Sequence, residues 1–525
     1  MRLRPVWIGL VVLGVAARVF AVLANDAPHG DVHLDALTLG ALWDGRGFTT
    51  PLERSIELYP REAAGGGYPL DQHPPLSIVL AAAFPIGGDP YFALQVVSLL
   101  AGIVGLVLVH RLAGRILVDV DPWIPTALVA ASFALADFAG NGSVYTLHGT
   151  LTLAAVAALA RRTVRASLLA GAFAGLAYLT NYQALPLVAA LAIVLVLERA
   201  RLAVPGSWFR CAAAVAVGFV VVAAPWWIRN MLVFGEPTFS VNPLYLKAKL
   251  GYVPSFAESN GTTLLTLAKP ALATVVNAWL GIAKGNVRFV AEQSAVWLAL
   301  LAPLSVVGAW FALRPRSDRS TFGLLERRLL VLVVLSHLAI MLVWPLCKFR
   351  YLIPWFPPLI LLAVSAIDQL RSRRPWLVGL AVGPFLALQV VLVIVSGTLT
   401  TYDDGILARD ATGKRGGEIA DRAKQQQLRS AVIAIAALGV EGVVADIELA
   451  IHAREMGLST RVVQAPTVGR DLLAAVVRRV QKVHGVTHIL ALSTEEALLY
   501  GSELGAIEVF SSDDASVPTV LMRLP

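Results

Sequence analysis

Between Asn25 and Leu76 the chain reads NDAPHGDVHLDALTLGALWDGRGFTTPLERSIELYPREAAGGGYPLDQHPPL, the first long polar stretch after an apolar run that begins near Val6. Nearly everything around it is lipid-like, so much of the chain's polar chemistry has to sit in this loop. Of 525 residues, 57% are hydrophobic and only 15% are charged, with a mean hydropathy of +0.70. A soluble protein of this size carries about a quarter charged residues. The composition is therefore that of an all-α polytopic membrane protein. The formal charge of +8 is no nucleic-acid signature, because the cations cluster at one set of span ends instead of forming a stripe.

The basic residues orient the spans. The first, about Val6–Leu23, runs outward from Arg2 and Arg4 and offers no small-residue cleavage site, so it reads as an uncleaved span and not as a signal peptide. That places the Asn25–Leu76 stretch outside. Pro74–Gly87 is apolar but only ~14 residues, about 21 Å as a helix, too short for the ~30 Å hydrocarbon core. It is predicted to lie along the interface, with Pro74 and Pro75 in its first turn.

Further spans are read at Tyr91–His110, Trp123–Phe138, Gly149–Ala160, Ala166–Thr180, Ala184–Leu197, Ala212–Ile228, Ala291–Leu313, Leu329–Trp344, Tyr351–Ile367 and Trp376–Val395. This makes about eleven transmembrane helices. Arg111, Arg115, Arg161, Arg162, Arg199, Arg314, Arg316 and Arg371 then fall on one side, and the alternation closes without an exception. Cys211 and Cys347 come out on opposite faces, which excludes a bridge within the chain, and they match no zinc spacing.

Residues 1–396 are thus read as the membrane module, with external loops at 25–90 and 231–290. From Gly397 the composition becomes that of a soluble domain. Runs of β type at Val443–Asp446, Arg461–Gln464, His488–Ser493, Ile507–Ser511 and Thr519–Leu524 alternate with helical runs, so 397–525 is predicted to be an extracytoplasmic α/β domain. The N-terminus is cytoplasmic in this topology. The Ala, Val, Leu and Arg bias suits a GC-rich bacterial chain, which makes the membrane the inner, or plasma, membrane.

Asp31 and Asp35 are one helical turn apart and share a face. A carboxylate at a helix N-terminus is held as the anion by exposed N–H groups, and a like charge one turn on raises one of the pair. That arrangement suits a general base beside an orienting partner; equally, Asp31 after Gly30 is a good helix cap. His73, kept extended by the Pro-Pro that follows it, is placed to bind a phosphate or to contact Asp71, or else is structural. Arg229, Lys348 and Arg350 lie next to spans on the outer side, where they can bind phosphate or snorkel to the interface. Trp226, Trp227, Trp344 and Trp355 read as an aromatic belt, and His148 as polar lining or a turn residue. There is no P-loop, no set of zinc ligands and no Gly-x-Gly-x-x-Gly, so soluble nucleotide chemistry has no support.

At these residues the chain resembles the GT-C class of polyprenyl-phosphate-sugar-dependent glycosyltransferases, in the branch of the protein O-mannosyltransferases and the lipid A aminoarabinose transferases. Gly30-Asp31, followed by Asp44-Gly45-Arg46-Gly47-Phe48, is similar to that family's acidic motif in the first loop. Asp71-x-His73-Pro74-Pro75-Leu76 resembles the Asp-x-His-Pro-Pro-Leu of the O-mannosyltransferases and is the most specific match. Pro225-Trp226, Arg229-Asn230, Phe234-Gly235 and Arg350-Tyr351-Leu352 with Pro354 resemble its later signatures. The likeness runs in order from about Met1 to Arg374. Two departures stand out: the family's Asp-Glu pair is Asp31-Val32 here, with Asp35 as the second carboxylate, and the acidic residue after the third span is replaced by His148 or Asp137.

The resemblance implies a GT-C architecture and transfer of a sugar from a membrane-borne polyprenyl phosphate to an extracytoplasmic lipid, glycan or protein acceptor, with inversion. Asp31 would be the general base with Asp35 beside it, and Asp71, His73, Arg229, Lys348 and Arg350 would bind substrate and phosphate. No metal ligands are assigned and no cofactor is implied, although the departures leave a divalent cation open. The competing class is a transporter or flippase of lipid-linked or cell-wall precursors. Such proteins bind substrate at mid-membrane within paired halves, whereas here the polar residues gather in external loops. A catalytically inert receptor with a recognition domain at its C-terminus is the third class.

Overall fold

The computed structural model describes residues 4–24, 32–50, 53–54, 68–70, 73–85, 88–199, 207–240, 253–259, 262–268, 271–314, 323–344, 348–371, 376–396, 430–445, 460–464, 486–491, 494–511 and 519–525, with single residues between. The chain divides into two compact units. The first comprises Met1–Val32, Asp71–Val253 and Lys269–Ile406; the second comprises His33–Leu70, Pro254–Ala268 and Leu407–Pro525.

The first unit is helical. Its helices are α1 (Arg4–Ala24), then, after α2 (Val32–Trp43), α3 (Leu76–Ala82), α4 (Pro90–Ile116), α5 (Trp123–Ala131), α6 (Phe133–Gly140), α7 (Val144–Leu159), α8 (Val164–Tyr178), α9 (Leu185–Leu197), α10 (Ser207–Phe234), α11 (Leu272–Leu298), α12 (Leu301–Leu313), α13 (Leu324–Met341), α14 (Phe356–Arg371) and α15 (Leu377–Ser396). Every apolar run read as a span falls on one of these or, in two cases, on a consecutive pair. Among the described residues, 4 helices are long and apolar enough to cross a membrane, or 6 if each bent pair is one span. Of the others, α7, α8 and α9 are shorter, α15 is shorter over its described part, Val378–Val393, and α13 carries Glu326, Arg327 and Arg328 at one end. These apolar helices make the protein an integral membrane protein.

The structure differs from the sequence reading in three places. Two spans are broken: α5 and α6 meet at 64°, and α11 and α12 at 108°. The stretch after Leu272, expected as loop up to Val290, is helical throughout α11. Its polar residues sit at helical spacing, as in the Arg288–Glu292 ion pair of 2.7 Å, so they decorate the helix instead of ending it. Finally, α3 begins at Leu76 with Pro75 as its cap residue, so both prolines precede the first turn.

A helix broken inside a membrane leaves backbone groups that lipid cannot satisfy. Buried polar side chains take that role here. The Arg18 guanidinium donates to the carbonyls of Ala130 (2.8 Å) and Val129 (3.0 Å), which the break after α5 frees, and to Gly14 (2.8 Å). Gln389 on α15 serves both breaks: its carbonyl accepts the Phe133 N–H at the start of α6 (2.9 Å), and its amide donates to the Trp297 carbonyl near the end of α11 (3.2 Å). Gln389→Leu keeps the volume and orphans both groups. It is expected to destabilise the protein by about 1–3 kcal/mol for each group, read as a lowered apparent Tm in detergent; an unchanged Tm would show that these bonds are not needed. On α14, Asp368 accepts the N–H groups of Val118, Asp119 and Val120 at 2.8–2.9 Å, fixing the turn between α4 and α5.

The second unit is built around a six-stranded sheet. Its strands are β2 (Glu53–Arg54), β6 (Gly442–Ala445), β7 (Arg461–Gln464), β8 (His488–Ala491), β9 (Ile507–Ser511) and β10 (Val520–Arg523). Their order is β2-β7-β6-β8-β10-β9. The β2–β7, β6–β7 and β6–β8 pairs are parallel, while β10 runs antiparallel to both β8 and β9. The five strands predicted after residue 440 are all present. Val443, Val444, Ile489 and Leu521 are completely buried, and helix α16 (Thr494–Leu504) follows β8. Two smaller pairs belong to segments read as loops: β1 (Thr49–Thr50) with β3 (Tyr68–Pro69), antiparallel, and β4 (Val253–Ser259) with β5 (Thr262–Ala268).

Candidate functional site

The C-terminal end of α8 is the hub on which several of the residues singled out above converge. The Leu76 N–H, at the start of α3, donates to the Leu179 carbonyl just past α8 (2.8 Å). The His73-Pro74-Pro75 segment is thereby docked there, with both prolines buried and His73 half-buried. Three residues on, the 3₁₀ turn Tyr182–Ala184 begins. Trp226 Nε1–H donates to the Tyr182 hydroxyl at 3.0 Å, and Trp227 Nε1–H to the Tyr178 hydroxyl at 3.1 Å. The last turns of α10 are thus pinned to the same place.

Those bonds hold Arg229. Its guanidinium carbon lies 4.6 Å from the Trp226 ring centre and 5.1 Å from that of Phe234, and its Nη1 donates to Asn230 Oδ1 at 2.9 Å. A guanidinium held between two rings is a preorganised cation and not a snorkelling one. Trp226 is 5% and Trp355 2% exposed. These two are therefore interior residues and not the lipid-facing belt expected from their position in the sequence. The Trp226 N–H goes to the Tyr182 hydroxyl and its ring face to Arg229, and the Trp355 ring packs against His337, which hydropathy does not report.

Lys348 and Arg350 sit on a second support, the 3₁₀ segment Phe349–Trp355, whose seven residues are all buried. Phe349 packs on Trp297 (4.6 Å between ring centres) and Phe138 (6.0 Å); Tyr351 packs on Tyr145 of α7 (5.5 Å). At Gly149 of α7, a Cβ would come 3.1 Å from the Pro354 Cα, so the segment lies directly against the helix backbone. Arg350 is 6% exposed, with its guanidinium carbon 5.5 Å from the Tyr351 ring centre. Lys348 is half-buried.

Beneath this segment lies a pair that sequence reading caught only by half. His148 Nε2 is 2.9 Å from His337 Nε2, His337 Nδ1 is 2.9 Å from the Val333 carbonyl, and His148 Nδ1 is 3.4 Å from the Ala177 carbonyl. Two neutral imidazoles bring two N–H protons to three contacts. The two short contacts take them, so His148 Nε2–H donates to His337 and His337 Nδ1–H donates to Val333. The pair ties α7 to α13, with the Trp355 ring 6.2 Å from His337. An ionisable residue inside an apolar helix was the available signal for His337.

The carboxylates stand differently. Asp31 and Asp71 lie outside the described residues. Asp35 is in the first turn of α2 and 1% exposed; it belongs to the second unit, whereas His73, Arg229, Lys348 and Arg350 belong to the first. Asp137, on α6, is buried. Among the described residues no group of three or more His, Cys, Asp or Glu gathers as a metal site.

The chain has the architecture of the GT-C glycosyltransferases. It is similar to ArnT from Cupriavidus metallidurans bound to undecaprenyl phosphate, with 14% identity, 98% of each chain covered and a TM-score of 0.57. The same protein in its apo state gives 16% identity, the same coverage and a TM-score of 0.53. The archaeal oligosaccharyltransferase AglB from Archaeoglobus fulgidus, in complex with an inhibitory peptide and a dolichol-phosphate, gives 11% identity over 94% of this chain and 71% of that one, with a TM-score of 0.52. At such identities the likeness is one of fold. By sequence, residues 72–228 match the family described as dolichyl-phosphate-mannose-protein mannosyltransferase. No curated protein matches the chain.

Proposed function

We propose that this protein is an integral membrane glycosyltransferase that moves a sugar from a polyprenyl-phosphate donor to a hydroxyl of an extracytoplasmic acceptor, with inversion. One observation carries the reading. The family match at 72–228 opens on the His73-Pro-Pro-Leu segment and closes one residue before Arg229, and the structure docks both of its ends on the α8 terminus.

In the reaction Asp31 takes the proton of the acceptor hydroxyl as that oxygen attacks the anomeric carbon. The bond from that carbon to the phosphate oxygen breaks, and its electron pair leaves with the lipid phosphate. A phosphate monoester has a second pKa of about 6, so it departs without a proton. This distinguishes it from the alkoxide leaving group of a glycosidase, which needs a second, acidic carboxyl. His73, Arg229, Lys348 and Arg350 are assigned to the phosphate, where buried or ring-held cations stabilise developing charge better than hydrated ones. Asp35 and Asp71 are assigned to orienting the base and the substrate.

Arg350→Ala is expected to raise the donor KM by about 10–100-fold, the worth of a hydrogen bond to a charged group, with Arg350→Lys in between. Equal KM values for wild type and Arg350→Ala would remove Arg350 from the site. The reading as a whole is tested with purified protein and a panel of radiolabelled polyprenyl-phosphate sugars. Label appearing in an acceptor supports transfer; sugar lipid crossing proteoliposomes without any transfer product supports the flippase class instead.

A further inference from the structure

We propose that residues 407–525 clamp the first polar loop, acting through Leu37 and strand β2 as positioning elements for the proposed transfer reaction. The inference rests on that reading. Two observations inside the second unit carry it. Leu37 of α2 is 2% exposed and belongs to one hydrophobic cluster with Leu428, Val432, Val443, Leu490 and Leu521. Independently, β2 leaves the same loop and adds an edge strand to the C-terminal sheet, in register Glu53↔Val463 and Arg54↔Gln464.

The loop is tied to itself as well. β1 pairs with β3 at Thr49↔Pro69 and Thr50↔Tyr68, and the Leu70 N–H donates to the Phe48 carbonyl at 2.9 Å. Asp31 is the residue before α2, and Asp71 follows β3 by two residues. Asp31 is thus the chain neighbour of a helix held by the C-terminal region, and Asp71 follows a strand that β1 ties back into the same loop. None of those elements is stable by itself: α2 has 12 residues, at the lower edge of the ~12–15 below which an isolated helix is marginal in water, and β1, β2 and β3 have 2 residues each. The surface that orders α2 and β2 comes from a segment more than 350 positions away along the chain.

The test uses the full-length chain with Cys211→Ala and Cys347→Ala as reference. Leu37→Ala is expected to lower kcat about a hundredfold, the scale for misplacing a reacting group by about 1 Å, with a smaller change in donor KM. Adding Glu53→Cys with Val463→Cys places two cysteines at neighbouring strand positions, about 4.8 Å apart and within disulfide range. Oxidation should form the bond and return the Leu37→Ala chain to within about threefold of the reference, and dithiothreitol should reverse that rescue. Because a disulfide also stabilises the fold as a whole, apparent Tm and gel-filtration profile are followed in parallel: a Leu37→Ala chain that is folded yet slow before oxidation shows a loss of positioning and not of folding. Full activity of Leu37→Ala, failure of the disulfide to form, or its formation without rescue would each overturn the clamp. Failure of the transfer reading is seen separately, as a reference chain inactive with every sugar lipid, and disulfide yield still reports on the clamp in that case.

Discussion

Asp31→Asn leaves the protein inserted and folded and reduces transfer by roughly 10²–10⁴-fold, the usual contribution of a positioned general base. The amide keeps the size of the carboxylate and its ability to cap α2, which begins at the next residue, but it cannot accept the acceptor's proton. The effect should lie in kcat, since the donor's phosphate is assigned to other residues. Asp35→Asn separates the two carboxylates: as an orienting partner it should cost less than Asp31→Asn. The measurement is label transfer by purified protein, with gel-filtration profile and apparent Tm as controls for folding. Wild-type turnover by Asp31→Asn would end the assignment of the base.

Gly171→Val is expected to have the largest structural effect. α8 and α10 meet backbone to backbone: a Cβ on Gly171 would lie 2.0 Å from the Val215 carbonyl oxygen, and one on Gly218 would lie 2.2 Å from the Leu168 carbonyl oxygen. No rotamer relieves such an overlap, so the helices must separate. In a membrane, where van der Waals packing of small residues replaces the hydrophobic drive between helices, separation removes what holds them. Destabilisation of about 3 kcal/mol or more is expected, as poor accumulation or a markedly lower apparent Tm. The damage should reach function, because α10 brings Trp226, Trp227 and Arg229 to the α8 terminus. Gly9→Val is the matched control: nothing lies within 4 Å of a Cβ there, and it should be tolerated. If the two variants behave alike, the close packing of α8 on α10 is not what the helices depend on.

The elements were legible to different depths for physical reasons. Apolar runs are long and need no partner to be recognised, so every span read from the sequence is helical, two of them as bent pairs. The alternation that marks β6 to β10 is equally local. Helix breaks are not local: the ends of α5 and α11 are tolerated because Arg18 and Gln389, far off in sequence, satisfy them. Arg350 and His73 were singled out from local patterns, whereas His337 was missed because an isolated His in an apolar helix says nothing about the ring it faces.

By itself, then, the order of residues determined the membrane class, the helical runs, the α/β nature of the C-terminal region and a short roll of chemically able side chains, since each depends on hydropathy and periodicity within a few turns. Tertiary structure alone decided that Arg229 is held between rings, that Trp226 and Trp355 are interior, that two histidines share one proton contact, and that the first polar loop is built into the C-terminal sheet. Those facts depend on groups tens to hundreds of residues apart meeting at bonding distance, and no local pattern in a chain specifies which distant partner a side chain will find.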